Sequence, residues 1–270
     1  MKKLLLVLIV IFFITNVVAF DDLWLKAQKI LENTDGYFPG TITQQFESIS
    51  KNPKYEFRLG YEVIVSNAVN EEGKVVSSLV SKRTFDNYNE LRNNQGIPRS
   101  DIIEMRKSVD DLKSNINKIS NDMLSKDMET DELEGNDIKW FGLFQETDPK
   151  KLILTLQKKQ QTINSRVCQV YKVKYIVGGN KKNTETGTVY LDVETGAPVL
   201  TIFDFKDLKL PLELKLIKDP VMNTYYTHNE EDNIALPSKV EINISIPFLG
   251  NTSSMNTSIL MSDYFKKEKE

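Results

Sequence analysis

The chain has one cysteine, Cys168, and one histidine, His228. A single residue of each kind cannot build the usual zinc site, and a lone cysteine excludes an intramolecular disulfide. A thiol nucleophile needs a basic partner. His228 sits in Thr227-His228-Asn229-Glu230-Glu231-Asp232, which reads as a solvated loop, whereas Cys168 lies in an apolar stretch and reads as a small buried hydrophobe. There is no glycine-rich phosphate loop, no His-Glu-x-x-His, no Cys-x-x-Cys and no nucleophile elbow. The expectation is therefore no enzyme, no metal and no cofactor. Positive charge is not in excess either: the formal net charge is −3, which argues against nucleic acid or an anionic membrane surface as the main partner.

Long hydrophobic runs are confined to the N-terminus. Met1-Lys2-Lys3 is a short positive region, Leu4 to Ile14 is unbroken and apolar, and Val17-Val18-Ala19 offers small residues for a peptidase. The pattern predicts a signal peptide over 1–19, a mature chain from Phe20 and export. An uncleaved anchor is the competing reading. Yet Leu4 to Phe20 includes Thr15 and Asn16 and barely reaches the ~17–25 residues of a membrane span. No cysteine lies at the cut to carry a lipid.

What the sequence has in abundance is alternation. Val167, Gln169, Tyr171, Val173, Tyr175 and Val177 share one parity, with Lys172 and Lys174 on the other, as in a strand with one face on a core. Thr188 to Val193, a turn at Glu194-Thr195-Gly196, Val199 to Phe205 and the alternating leucines Leu208 to Leu216 continue an antiparallel meander, because such short connections cannot join parallel strands. Thr41 to Ile49, then Tyr55 to Val65, and a hairpin at Asn70 to Gly73 leading into Val75 to Phe85, precede it. Val240 to Phe248 and Asn251 to Asp263 follow it, after a predicted turn at Asp219-Pro220 and Asn223. Helices are predicted at Asp21 to Thr34 and after Asp148-Pro149, where Leu152, Ile153 and Leu156 would share a face.

Between Pro98 and Asp148 the pattern changes. Ile102, Met105, Val109, Leu112, Ile116, Ile119 and Met123 recur at three- and four-residue spacing and predict a long amphipathic helix. It either lies on the sheet or forms a coiled-coil seam, although its flanking positions offer little complementary charge. The acidic stretch Asp127 to Asp137 fails the EF-hand pattern, with Glu132 at the glycine position and Ile138 at the final glutamate, and reads as a solvated linker. The aromatic cluster Trp140 to Phe144 either packs between helix and sheet or lines a ligand cavity.

The order of elements resembles the LolA/LolB-like periplasmic lipoprotein-sorting carriers. The resemblance rests on Val167-Cys168-Gln169-Val170-Tyr171-Lys172-Val173, on Thr188-Val189-Tyr190-Leu191-Asp192-Val193-Glu194-Thr195-Gly196-Ala197-Pro198-Val199, and on Leu236-Pro237-Ser238. It implies one domain over 20–270, with a helical and acidic insert at about 98–148. The fold class expected is mainly β with helices (α+β), a curved open-barrel antiparallel sheet whose concave face the helices cover. It implies lipid or acylated lipoprotein as ligand and inner- and outer-membrane sorting proteins as partners; a stripe from Ile102 to Met123 lying on its own sheet predicts a monomer. Arg58 is a candidate for the arginine that fastens the lid in this family. The expected lining is Phe57, Tyr61, Tyr171, Val173, Tyr175, Leu214 and Ile244. The expected lid or mouth is Ile102, Met105, Val109, Leu112, Ile116, Trp140, Phe141 and Phe144. Related folds also serve as envelope sensors that bind a partner protein, so a protein-interaction module with a filled core stands as the alternative.

Overall fold

The computed structural model describes residues 21–50, 58–86, 142–176, 184–204, 218–248 and 251–267, with Ser100, Ile103, Lys107 and Ser114 besides. Those last four are helical. The expected signal peptide, the apolar stripe from Ile102 to Met123, the acidic stretch, the leucines of 208–216 with Leu214, and Phe57, Trp140 and Phe141 lie outside the described residues.

The elements are α1 (Asp22–Glu32), β1 (Tyr37–Phe38), β2 (Thr41–Ser50), β3 (Arg58–Val69), β4 (Val75–Asp86), α2 (Gly142–Gln145), β5 (Leu152–Leu156), β6 (Gln161–Ile163), β7 (Arg166–Ile176), β8 (Thr184–Asp192), β9 (Pro198–Asp204), β10 (Lys218–Asn229), β11 (Ile234–Phe248), β12 (Asn251–Ser262) and β13 (Phe265–Lys266). The hydrogen-bonded order of the main sheet is β4-β3-β2-β12-β11-β10-β9-β8-β7-β5, with β6 also paired to β7, and β1 pairs with β13. The series begins at β4 and ends at β5 without closing on itself, so the sheet is open. The protein is mainly β with few helices.

By contacts the chain divides into two compact units, one from Met1–Asp35, Trp140–Lys209 and Asn223–Leu236, the other from Gly36–Lys139, Leu210–Met222 and Pro237–Glu270. Each is assembled from separate stretches, so the division does not follow chain order.

In the first unit, α1 is built as its sequence implies. Asp21 caps it by accepting from the Trp24 amide at 2.9 Å, and Trp24, Ala27, Ile30 and Leu31 are buried at three- and four-residue spacing. These side chains pack with Leu152, Leu154, Tyr171, Val173, Val189, Leu191 and Phe203. Full burial of side chains this size is worth about 1.5–3 kcal/mol each, so this layer is what holds the helix down. The Thr195-Gly196 turn approaches α1 closely. A Cβ on Gly196, whose φ is +81°, would sit 2.8 Å from the Lys26 Cβ.

Three readings of the sequence are corrected here. The stretch after Asp148-Pro149 is strand β5, not a helix. Leu152 and Leu154 point inward and Ile153 outward, a period of two that a leucine-rich pentapeptide does not distinguish from a helix. β7 does not have one dry and one wet face at its start. Cys168 and Val170 are buried with Tyr190, Val199 and Leu200 in a second cluster, while Val167 is exposed. And β10 runs through Asp219-Pro220 and Asn223, where a turn was expected, on to Thr227, His228 and Asn229, which end the strand rather than lying in a loop. The turn begins at Glu230.

In the second unit β4, β3, β2, β12 and the later part of β11 pair in antiparallel succession. The register is continuous except at one β-bulge, where Ile64 faces Ser81 but Val65 faces Leu79. Val80 is the extra residue, and it projects outward, 61% exposed.

Candidate functional site

Directly opposed residues in an antiparallel pair lie on the same face of the sheet, so the registers of the second unit sort its side chains without ambiguity. One face carries Val240, Ile242 and Ile244 from β11, opposite Ile259, Thr257 and Met255 of β12. Those in turn face Gln44, Phe46 and Ser48 of β2, with Met261 opposite Ile42. Val65, Val63 and Tyr61 of β3 complete it. The other face carries Lys239, Glu241, Asn243 and Ser245, then Leu260, Ser258, Asn256 and Ser254, then Thr43, Gln45, Glu47 and Ile49, with Ile64 and Glu62 on β3. One side of the sheet is mainly apolar and the other mainly polar, with Leu260, Ile49 and Ile64 as the apolar members of the polar side.

The apolar side is half-covered. Val63 and Val240 are buried, but Ile42, Phe46, Tyr61, Val65, Ile242, Ile244, Met255, Ile259 and Met261 all retain partial exposure. Its polar atoms answer one another: the Gln44 amide donates to the Tyr61 hydroxyl at 3.1 Å. Partial burial raises the Tyr61 phenol above its usual pKa. Phe46 and Tyr61 stack at 5.5 Å between ring centroids. On the polar side, Gln45, Glu62 and Arg83 form a ladder across β2, β3 and β4. Gln45 donates to Glu62, and Arg83 Nε lies 2.7 Å from the same carboxylate. These bonds hold the Glu62 carboxyl below the usual carboxylate range.

Of the side chains expected to line a ligand site, Tyr61 and Ile244 thus lie on this half-covered face. Tyr171, Val173 and Phe144 lie elsewhere, in the core of the first unit, with Tyr175 at its margin. There α1 and α2 fill the space. Trp24 is fully buried, stacked on Phe144 at 4.8 Å and edge-on to Tyr171 at 5.6 Å. The Tyr171 hydroxyl donates to the Asp21 carboxylate, 2.7 Å from its nearer oxygen. Burial, and then this carboxylate, raise the Tyr171 phenol far above its usual pKa. Gln28 is held in the same layer by its bond to the Phe144 carbonyl, 2.7 Å.

Sequence reasoning missed Phe46, Ile42, Met255, Ile259 and Met261 as members of the apolar face. The signal was partial in β12, where Met255, Ile259 and Met261 share one parity but Leu260 interrupts the polar parity of Asn256, Ser258 and Ser262. It was faint in β2, where Gln44 and Ser48 interrupt the apolar parity. Chemically, the face offers apolar area, with the hydroxyls of Ser48, Thr257 and Tyr61 among its few polar groups. Among the described residues no group of His, Cys, Asp or Glu could hold a metal ion, and no helix is long and apolar enough to cross a membrane.

No family model matches the chain, and no curated protein matches its sequence. Solved structures do match. A LolA superfamily protein from Nitrosomonas europaea is 8% identical, with 94% of this chain and 96% of that one covered, at a TM-score of 0.33. A domain assigned to outer membrane lipoprotein sorting from Vibrio parahaemolyticus is 12% identical over 92% of this chain and 93% of its own, at 0.32. The MucA/MucB complex of Pseudomonas aeruginosa is 7% identical over 92% of this chain and 100% of its own, at 0.23. The superfamily that the sequence resembles is thus among the structural neighbours, but scores this low carry no argument, and the fold stands on the chain's own strand order.

Proposed function

We propose that this chain is a non-catalytic, monomeric binder of lipid or lipoprotein acyl chains, acting in the periplasm and helping to deliver them to the outer membrane. The observation that supports this is the two-sided sheet of the second unit, whose aliphatic and aromatic side stays half-exposed along four strands. Contiguous apolar surface of that kind is a mark of a binding site, as singly exposed apolar residues are not. An acyl chain gains ~0.8 kcal/mol for each methylene it buries, so eight buried carbons supply about 6 kcal/mol, enough for binding in the tens of micromolar. Tyr61 and Ile244 belong to the lining on this reading, with Phe57 and Leu214. The stripe Ile102, Met105, Val109, Leu112 and Ile116, which lies outside the described residues, is the lid this reading calls for.

A second reading is favoured by a different observation. Tyr171 and Val173, also expected to line the cavity, are packed tight beneath Trp24 and Phe144. A protein whose core is filled in this way could instead work as a protein-interaction module. Native mass spectrometry of the purified protein before and after solvent extraction, followed by titration with a fluorescent fatty acid, separates the two. The carrier reading expects a lipid-mass adduct that extraction removes, and saturable binding that Ile244→Asp abolishes while the fold survives. No adduct and no titratable binding would give the lead to the interaction module.

A further inference from the structure

We propose that a groove in the first unit is an anion site that takes a phosphate group, distinct from the apolar face proposed for acyl chains and independent of it. The groove has a volume of about 500 Å³ and lies over β7 and β8, with Lys158, Lys159 and Lys172 on its walls and Val170, Thr188 and Tyr190 beneath. No carboxylate lines it, in a chain whose formal net charge is −3. Among the described residues none forms an ion pair with any of the three lysines.

Two features make this more than a chance gathering of lysines. Lys172 is fixed: its ammonium donates to the Thr188 hydroxyl at 2.7 Å, across the β7–β8 pair in which the two residues are directly opposed. The segment bearing Lys158 and Lys159 is fixed as well. The Gln157 amide donates to the Val170 carbonyl at 2.9 Å, and the Gln169 side chain donates to the Gln157 carbonyl at 2.7 Å. The two lysines therefore follow a pinned backbone and line the same groove as a third whose ammonium position is set. Three lysines lining one groove, without a carboxylate among the lining residues, suit a group with several charged oxygens, as charge-assisted hydrogen bonds to phosphate are among the stronger ones available to a protein. The floor of Val170 and Tyr190, both buried, adds an apolar contact for whatever body the phosphate carries. That chemistry is shared by a lipid headgroup and by free phosphate.

The test is phosphorus NMR titration of the full chain with inorganic phosphate, dihexanoyl phosphatidylglycerol and dihexanoyl phosphatidylcholine, at low and moderate salt. Binding of at least one anionic probe is expected, weakened by added salt, and weakened about tenfold by Lys172→Gln or by Lys158→Gln with Lys159→Gln. Tighter binding of phosphatidylglycerol than of inorganic phosphate, by a margin that the lysine substitutions remove, assigns the site to headgroups; equal lysine-dependent binding assigns it to the phosphate alone. Circular dichroism checks that each variant is folded, and the fluorescent fatty acid should bind the variants as it binds the wild type. No binding of either anionic probe, or binding that the lysine substitutions leave unchanged, overturns the proposal whatever the fatty acid does. Fatty acid binding lost in the wild type with phosphate binding intact would instead sink the carrier reading alone.

Discussion

At the scale of single residues, the carboxylate of Asp21 has two tasks. It caps α1 through the Trp24 amide and accepts from the Tyr171 hydroxyl. Asp21→Ala removes both bonds and leaves a buried hydroxyl without its partner, so a loss of about 2–3 kcal/mol is expected. Tyr171→Phe deletes one bond with little change of shape and should cost about 1 kcal/mol. Urea midpoints of the two variants check the ordering. The same phenol makes stability depend on alkaline pH. Its folded pKa is raised, and Tyr226 is raised by burial to about 12. Such groups keep their protons in the folded chain while the unfolded chain loses them above about pH 10. The contribution is therefore full below pH 10 and drains away as pH climbs. Denaturant midpoints measured from pH 8 to 11 should fall above 10, less steeply in Tyr171→Phe; a flat profile contradicts the assignment.

At the scale of elements, what could be read from the sequence depended on length and contrast. α1 was legible because its cap, its apolar spacing and the following Gly36 agree. β3, β7 and β11 were legible because long alternations admit one period, and β8 and β12 because turn residues bound them. β5 was not, since Leu152 to Leu156 is short and mostly aliphatic, and only its pairing with β7 decides between helix and strand. Pro220 misled in the same way: proline and asparagine favour turns locally, and the strand through them is imposed by its neighbours in the sheet. The half-covered apolar face was legible piece by piece through Tyr61 and Ile244. Which strands adjoin which was not, because β2 pairs with β12 from the far end of the chain. Gly187 tests how tightly β8 and β9 are joined. A Cβ there would lie 2.6 Å from the Ile202 carbonyl oxygen and 2.9 Å from the Phe203 ring. Gly187→Ala should cost about 1–3 kcal/mol through crowding, read as a lowered melting temperature, whereas an unchanged one would mean that the strands part freely.

At the scale of the whole molecule, the open series of strands leaves β4 unpaired along one side among the described residues. Free edges invite pairing with a second chain, and bulges and charges are how such edges are blunted. β4 carries a bulge at Val80 and charges at Lys82 and Arg83. Val80→Lys should leave stability within about 0.5 kcal/mol, as exposed sites do, and should not raise the sedimentation coefficient. Restoring a smooth edge by deleting Val80 should promote self-association, and a deletion variant that stays monomeric would show the bulge to be irrelevant to it.

That bulge also bears on how the chain tolerates changes of length. In β2, β3, β11 and β12 the two faces are separated by parity alone, so one codon gained or lost midway along a strand would turn every later side chain over. Serines and asparagines would then meet the apolar layer, and Met255 or Ile259 would meet water. Gains or losses in twos would restore the sides. Val80 is an odd residue of this kind already written into the gene, absorbed where its edge strand has a neighbour on one side only. Length variation among descendants of this sequence should therefore come in even steps within β2, β3, β11 and β12, and in single steps where a bulge already absorbs one, as at Val80 of β4 and at Val199 of β9.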